Sequence, residues 1–193
     1  MATHVVKTDS LAPVAEGDDS LVDLLRSGDV KAAGQLVRRY REALVRYLHR
    51  LCRNEQLAEE LHQQTWLSVL EHIGKFSPSA SGGFKAWLFR IATNKANDHW
   101  RSSGRERAAK AGLKLVTEEE APEAGAGLEA TEQQEKLRRA IDQLPEAQRQ
   151  VLLLRYYSNL KFVEIAAMLG CPLNTALGRM HKAMLKLKEL MAE

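Results

Sequence analysis

Between Leu115 and Glu135 the chain carries seven Glu, no Lys or Arg, Pro122, Gly125 and Gly127, and no sustained apolar period. A stretch so charged and so poor in side chains worth burying cannot join a core, and its first part reads as a flexible acidic linker. Folding must therefore happen on either side of it. On both sides strand signals are scarce, with no alternating β-branched run closed by Asn-Gly or Asp-Gly, while helical spacing recurs. The fold class expected is all-α, as two small helical domains joined by a flexible acidic linker. The boundaries read from the sequence are a disordered tail at 1–19, a helical bundle at 20–108, the linker at 109–128 and a second unit at 129–193.

The 193 residues are 45 % apolar, enough to bury a core, but the net charge is only +3. No global field drives such a chain onto a polyanion, so basic work must be regional. No window approaches eighteen consecutive apolar residues, which excludes a membrane-spanning helix. The segment from Met1 to Asp19 lacks an apolar signal core, so a cytoplasmic protein is expected. Cys52 and Cys171 stand apart, and His49 with Cys52 supplies only two ligands one turn apart, so neither a disulfide framework nor a metal site is expected.

Asp18-Asp19-Ser20 can cap a short helix that stops at Gly28, and Asp29 can cap the next, to about Cys52. A third helix spans about Glu55 to Lys75, with Trp66, Val69, Leu70 and Ile73 at i, i+3, i+4, i+7. Ser77 to Gly83 is a loop by composition, and a fourth helix runs from about Phe84 beyond Trp100. After the linker, helices are expected at about Glu129–Leu144, Pro145–Tyr157, Lys161–Leu169 and Asn174–Met191.

The last of these carry a pattern. The short stretch Phe162 to Leu169 ends at Gly170, suited to a left-handed turn, and Ala166 is small enough for two helices to cross closely. The helix after Cys171-Pro172-Leu173 carries Arg179, Lys182, Lys186 and Lys188 and no acid up to position 188. A short helix, a glycine turn and a basic second helix form a helix-turn-helix pattern, whose last helix enters a major groove. The same pattern also describes a plain helical hairpin with a solvated lysine face. Leu177, Gly178 and Met184 fall where more polar readers would be expected.

The first unit presents two surfaces of opposite sign. Residues 85–114 hold eight Lys or Arg and two acids, with Asn94, Asn97, His99 and Trp100 among them. Basic groups neutralise phosphates and aromatic faces stack on unpaired bases; Trp87, beside Leu88 and Ile91, reads as core instead. From Asn54 to Gly74 there are four Glu and no Lys or Arg, with Glu59, Glu60, Gln63 and Gln64 away from Leu61, Trp66 and Val69. That face is either plain solvent-facing surface or a dock for a basic protein.

These stretches, in this order, resemble a bacterial RNA polymerase sigma factor of the extracytoplasmic-function (ECF) class of the sigma-70 family. Ala58-Glu-Glu-Leu-His-Gln-Gln-Thr-Trp66 resembles the family's polymerase-binding helix, and Phe84 to Trp100 resembles its minus-ten-reading helix. Leu144 to Arg155 and Glu164 to Gly170 match the start of its minus-thirty-five domain, and Asn174 to Lys182 match the reading helix in Thr175, Arg179 and His181. The family usually has a basic residue where Leu177 stands, another near Met184, and an aliphatic one at Asn97.

The resemblance implies partners and roles. Glu59, Glu60, Gln63 and Gln64 dock on the clamp helices of the large subunit of core RNA polymerase. Lys75, Ser77, Asn94, Lys95, Asp98, Arg101 and Arg105 hold the unpaired non-template strand of the minus-ten element, one base being extruded into a loop pocket. Arg149, Asn174, Thr175, Arg179, His181 and Lys182 engage the minus-thirty-five duplex of promoter DNA, Arg149 on phosphate. An anti-sigma protein is a further partner.

No Gly-rich phosphate loop, nucleophile elbow or acid pair occurs, and His62, His72 and His181 sit at surface-like positions, so neither catalysis nor a cofactor is expected. A competing reading is a stand-alone helix-turn-helix regulator with an N-terminal dimerisation or signal domain; another is a protein-binding adaptor. An acidic linker between basic helices predicts an off-state in which both DNA-facing surfaces are covered, either because opposite charges draw the units together or because a partner wedges between them; the resemblance implies the anti-sigma version, and the charge pattern alone supports only the self-compacted one.

Overall fold

The computed structural model describes residues 17–77, 82–111 and 132–192; the side chains of 104–111 fall outside that description, as do the remaining residues of the expected tail and linker. The described residues form α1 (Asp18–Arg26), α2 (Val30–Cys52), α3 (Glu55–His72), α4 (Gly83–Ala111), α5 (Glu132–Asp142), α6 (Glu146–Leu153), α7 (Phe162–Met168) and α8 (Leu173–Ala192), and no strand. A tighter 3₁₀ turn, Ile73–Lys75, follows α3, and a wider π turn, Leu154–Ser158, follows α6.

Local chemistry sets most boundaries. Asp29 accepts the Lys31 N–H at 2.8 Å and caps α2, while Asn54 accepts the Leu57 N–H at 2.9 Å and caps α3. At α1 the expected cap fails: the helix begins at Asp18 behind Gly17, with no side-chain cap. Asp18 is taken by tertiary partners instead, accepting from Arg39 Nη1 at 2.5 Å and from the Tyr40 hydroxyl. A charged residue near a helix start can cap or reach across, and here a neighbouring guanidinium and phenol outcompete the helix's own N–H groups.

Helices α1–α4 bury one core of Leu21, Leu36, Leu44, Tyr47, Leu48, Leu61, Val69, Leu88 and Phe89. Tyr47 Oη lies 2.8 Å from Thr93 Oγ1, whose proton goes to the Phe89 carbonyl at 2.7 Å, so this buried polar link between α2 and α4 is satisfied. Around the first turn of α4, Tyr40, Trp66, Phe76, Phe84 and Trp87 form a chain of tilted and edge-on rings 5.2–6.5 Å apart. Arg26 of α1 donates to the carbonyls of Ile73 (3.3 Å) and Phe76 and lies over the Phe76 ring, fixing the turn that leads out of α3.

Leu70 was expected on the apolar side of α3 and is exposed; the buried side runs through Leu61, Thr65, Trp66 and Val69 instead. His62 is likewise not a surface residue. It is buried, and its Nε2 accepts from Trp66 Nε1 at 3.2 Å. Burial lowers its pKa from 6.5, the Glu59 carboxylate raises it and Arg41 lowers it. The folded protein therefore holds a neutral imidazole, while the unfolded chain takes a proton below about 6.5. Stability from this group is present above that value and lost as pH falls through the lower folded pKa. Urea denaturation should show a loss of stability between pH 7.5 and 5.5 that is smaller in His62→Gln, which keeps an acceptor for Trp66 without titrating. Equal losses in the two proteins remove His62 from the account.

In the second unit, α7 ends at Gly170 with φ 61°. The Cys171 N–H returns to the Ala166 carbonyl at 3.0 Å and the Leu169 N–H to Ile165 at 2.9 Å, which closes the helix end and turns the chain into α8. Ala166 is buried at the crossing. Asn159, also left-handed at φ 52°, ends the π turn, and Arg155 bridges that break to the Leu160 carbonyl at 2.8 Å.

The two units share a core. Val151, Leu153, Leu154, Leu160, Ile165 and Met168 belong to the same buried cluster as the α1–α4 residues, and α6, α7 and the π turn lie against α2 and α4. The seam carries an amide pair, Gln150 Nε2 donating to Asn97 Oδ1 at 3.2 Å, and an ion pair, Arg53 Nε to Asp142 Oδ1 at 3.5 Å. Burial raises the Asp142 carboxyl from its usual value, and the Arg53 guanidinium opposes that. The contact is thus chiefly apolar, with an amide pair and an ion pair at its seam, where the sequence suggested that attraction between charges would draw the units together.

Candidate nucleic-acid and protein interfaces

Three surfaces collect the residues singled out by the sequence. On α3, Glu60 and Gln63 are exposed, Glu59 and Gln64 half-buried, and Gln64 Nε2 donates to Glu60 Oε1 at 2.8 Å. The sequence reading missed Leu67, which is 60 % exposed. It lies four residues after Gln63, three after Gln64 and seven after Glu60, so it stands at the centre of the polar face, with exposed Leu70 beside it. An apolar residue at a surface register of a polar helix face was the available signal. An exposed leucine ringed by carboxylates and amides is open to contact by another protein.

On α4, Trp87, Ile91, Asn94, Asp98 and Arg101 follow one another at alternating steps of four and three and so share one face. Asn94, Asp98 and Arg101 are exposed, and Arg101 Nη1 lies 3.5 Å from Asp98 Oδ1. Lys95 is a quarter turn away and half-buried. Trp87 is half-buried and packs on Phe76 and Phe84, so it serves both the core and the head of this face. Lys75 and Ser77 flank Phe76 and are thereby held beside the first turns of α4; Asp98 lies about 16 Å further along. The Arg105 side chain and residues 78–81 of the expected loop pocket lie outside the described residues. Gly82, at φ 86°, has no room for a side chain: a Cβ would stand 2.5 Å from Ala86 Cβ and 3.3 Å from the Glu164 carboxyl carbon. Glu164 belongs to α7, so the second unit rests against the end of this loop.

On α8, Asn174, Thr175, His181 and Lys182 are exposed, and Arg179 is half-buried with Nη1 3.9 Å from Cys171 Sγ. Arg149 does not join them. It is only 7 % exposed on α6, with its Nε making no hydrogen bond, so it reaches no phosphate in this arrangement. The other described residues expected to meet DNA on α4 and α8 are exposed or half-buried, so in this arrangement the two units do not cover them. Gly178 lies in the middle of α8, and a Cβ there would meet nothing within 4 Å. Internal packing therefore does not demand a glycine, which costs the helix about 1 kcal/mol relative to alanine.

Burial pushes the Cys52 thiol from 9.0 up to about 12, which opposes the thiolate that a metal would need. Among the described residues no three His, Cys, Asp or Glu side chains gather as a metal site, and no helix is long and apolar enough to cross a membrane.

Residues 36–106 match the Sigma-70 region 2 family model and residues 134–187 the Sigma-70, region 4 model. The chain is 33 % identical over 138 residues to the ECF RNA polymerase sigma factor EcfG of Rhodopseudomonas palustris, covering 72 % of this chain and 73 % of that protein. It is 29 % identical over 180 residues to the RNA polymerase sigma-H factor of Pseudomonas aeruginosa, covering 87 % and 90 %. Its fold is similar to the sigma factor RpoE solved in complex with the anti-sigma factor NepR from Bartonella quintana, with a TM-score of 0.69, 26 % identity and coverage of 84 % and 98 %. It is similar also to CnrH in complex with the cytosolic domain of CnrY, with a TM-score of 0.66, 25 % identity and coverage of 92 % and 98 %. With both regions matched in order on one all-helical chain, and the polar α3 face, the α4 face and the helix-turn-helix falling within them, the protein belongs to the ECF class of the sigma-70 family.

Proposed function

We propose that this chain is a transcription initiation factor that acts in the cytoplasm by binding, with no catalysis of its own: it joins core RNA polymerase and directs it to the promoters of a specialised regulon. The observation that carries this reading is the placement of a leucine-centred acidic face on α3 next to the polar, aromatic-headed face of α4, with a helix-turn-helix on the same chain. A dimerisation domain of a stand-alone regulator needs neither α3 nor α4 surface. Glu59, Glu60, Gln63 and Gln64, around Leu67, dock on the clamp helices. Asn94, Asp98 and Arg101, with Lys95, Lys75, Ser77 and Arg105, hold the displaced strand of the minus-ten element, where unpaired bases expose their edges. Asn174, Thr175, Arg179, His181 and Lys182 face the minus-thirty-five duplex, and Arg149 joins them once the units separate. An anti-sigma protein holds the factor off when it is not needed.

Run-off transcription with purified core polymerase tests this. Promoter-specific transcripts that require both polymerase and this chain are expected. Tight, sequence-specific footprinting by the chain alone, with no effect on polymerase, favours the regulator instead.

A further inference from the structure

The seam between the two units is short of negative charge. Among the described residues four buried side-chain nitrogen or oxygen atoms lack a hydrogen-bond partner, and three of them are guanidinium Nε atoms, of Arg53, Arg90 and Arg149. All three belong to segments that meet at the seam. Arg53 follows α2 and donates to the Asp142 carbonyl at the end of α5. Arg90 lies four residues after Ala86 and seven before Asn97, so it shares their face of α4. Ala86 stands at the Gly82 turn, where Glu164 of α7 arrives, and Asn97 takes the Gln150 amide. Arg149 precedes Gln150 on α6 and is 7 % exposed. Asp142 and Glu164 bring carboxylates to this seam, but both are engaged: Asp142 pairs with Arg53, and Glu164 accepts the Lys161 N–H at 2.6 Å. Among the described residues no carboxylate forms an ion pair with Arg90 or Arg149.

Resting on the sigma-factor reading above, we infer that Arg90 and Arg149 form a release device: closure desolvates both without a counter-charge, and this keeps the closed arrangement weak enough for core polymerase to open it. A buried charge without its partner destabilises the state that buries it, and an apolar side chain of similar volume in its place is neutral or stabilising. The shared apolar core shuts the seam, and the two guanidiniums oppose it. On opening, both regain hydration, so their favourable interaction is made in the opened chain alone. Only an interaction that differs between two arrangements can shift the balance between them. Arg90 isolates the effect, because it is half-buried on α4 and none of the interfaces proposed above uses it.

The test uses the full chain carrying Arg90→Met, Arg149→Met or both, methionine being unbranched and uncharged, and Arg90→Lys, which keeps a cation. Each methionine variant should raise the melting temperature by about 2–4 °C. Each should also weaken binding to core polymerase, measured without DNA, by about tenfold, because the fraction of the chain that is open falls. The double methionine variant should lose more than either single one, and Arg90→Lys should bind as the native chain does. A melting temperature that stays level or falls overturns the proposal, since the charges then do not oppose closure. A rise with unchanged polymerase affinity also overturns it, because the unpaired charges then lie within the units and not between them. Equal loss of affinity in Arg90→Lys does the same, by making the shape of the side chain the cause and not its charge. If the native chain does not bind core polymerase, the sigma-factor reading itself fails, an outcome told apart because it appears before any substitution is made.

Discussion

Leu67→Asp lowers affinity for core polymerase by at least about tenfold, and Glu59→Lys with Glu60→Lys by a comparable amount, while neither change alters helix content. A central apolar anchor ringed by polar groups loses about 2 kcal/mol or more when truncated or charged, because the pocket that receives it is desolvated for an apolar group. Leu67 is exposed in the folded chain, so the substitution removes nothing from the core. The double lysine variant reverses the sign of the face and acts on steering as well as contact. Gln63→Ala, at the rim, should cost several-fold less. Titration of labelled core polymerase decides the matter: unchanged affinity in Leu67→Asp and in the lysine variant removes α3 from the polymerase interface.

The sequence made the helices legible because their punctuation is local. Asp29 starts an element and Gly170 ends one by chemistry confined to a few residues, and the structure uses both. Asp18 shows where local reasoning stops, since its partners lie 21 and 22 residues away. The same limit applies to His62 and Leu67. Their places on α3 depend on which side of the helix α4 and α2 cover, and α3 is so mixed in polarity that its periodicity barely distinguishes core from surface. Arg149 is the clearest case. The resemblance implies a place on phosphate, but the second unit's packing on the first takes it out of reach, and a contact between units leaves no periodic mark in either one.

That packing sets up the other large effect. Minus-ten and minus-thirty-five elements lie about 25 base pairs apart, roughly 85 Å at 3.4 Å per pair. A folded chain of this length has a radius of gyration of about 16 Å. On the function proposed above, the arrangement in which α6 and α7 rest on α2 and α4 does not meet both elements, and the units are expected to part on the polymerase. Asn97 and Gln150 offer a way to part them without disturbing either core. Asn97→Asp keeps an acceptor for the Gln150 amide, and Gln150→Glu faces an asparagine that can turn its N–H₂ toward it, so each single variant preserves the 3.2 Å contact. The double variant sets two carboxylates against each other, a repulsion of about 4 kcal/mol at 4 Å for an effective dielectric of 20. Small-angle scattering should report the native protein and both single variants as compact at low and at high salt, because the seam is chiefly apolar. The double variant should be extended and should bind core polymerase more tightly by about one to three orders of magnitude, since the cost of opening is already met. Its footprint should also become sensitive to Arg149→Ala, the guanidinium being freed to reach phosphate. A double variant as compact as the native protein, or an extended one with unchanged polymerase affinity, shows that the seam between the units does not hold the factor back.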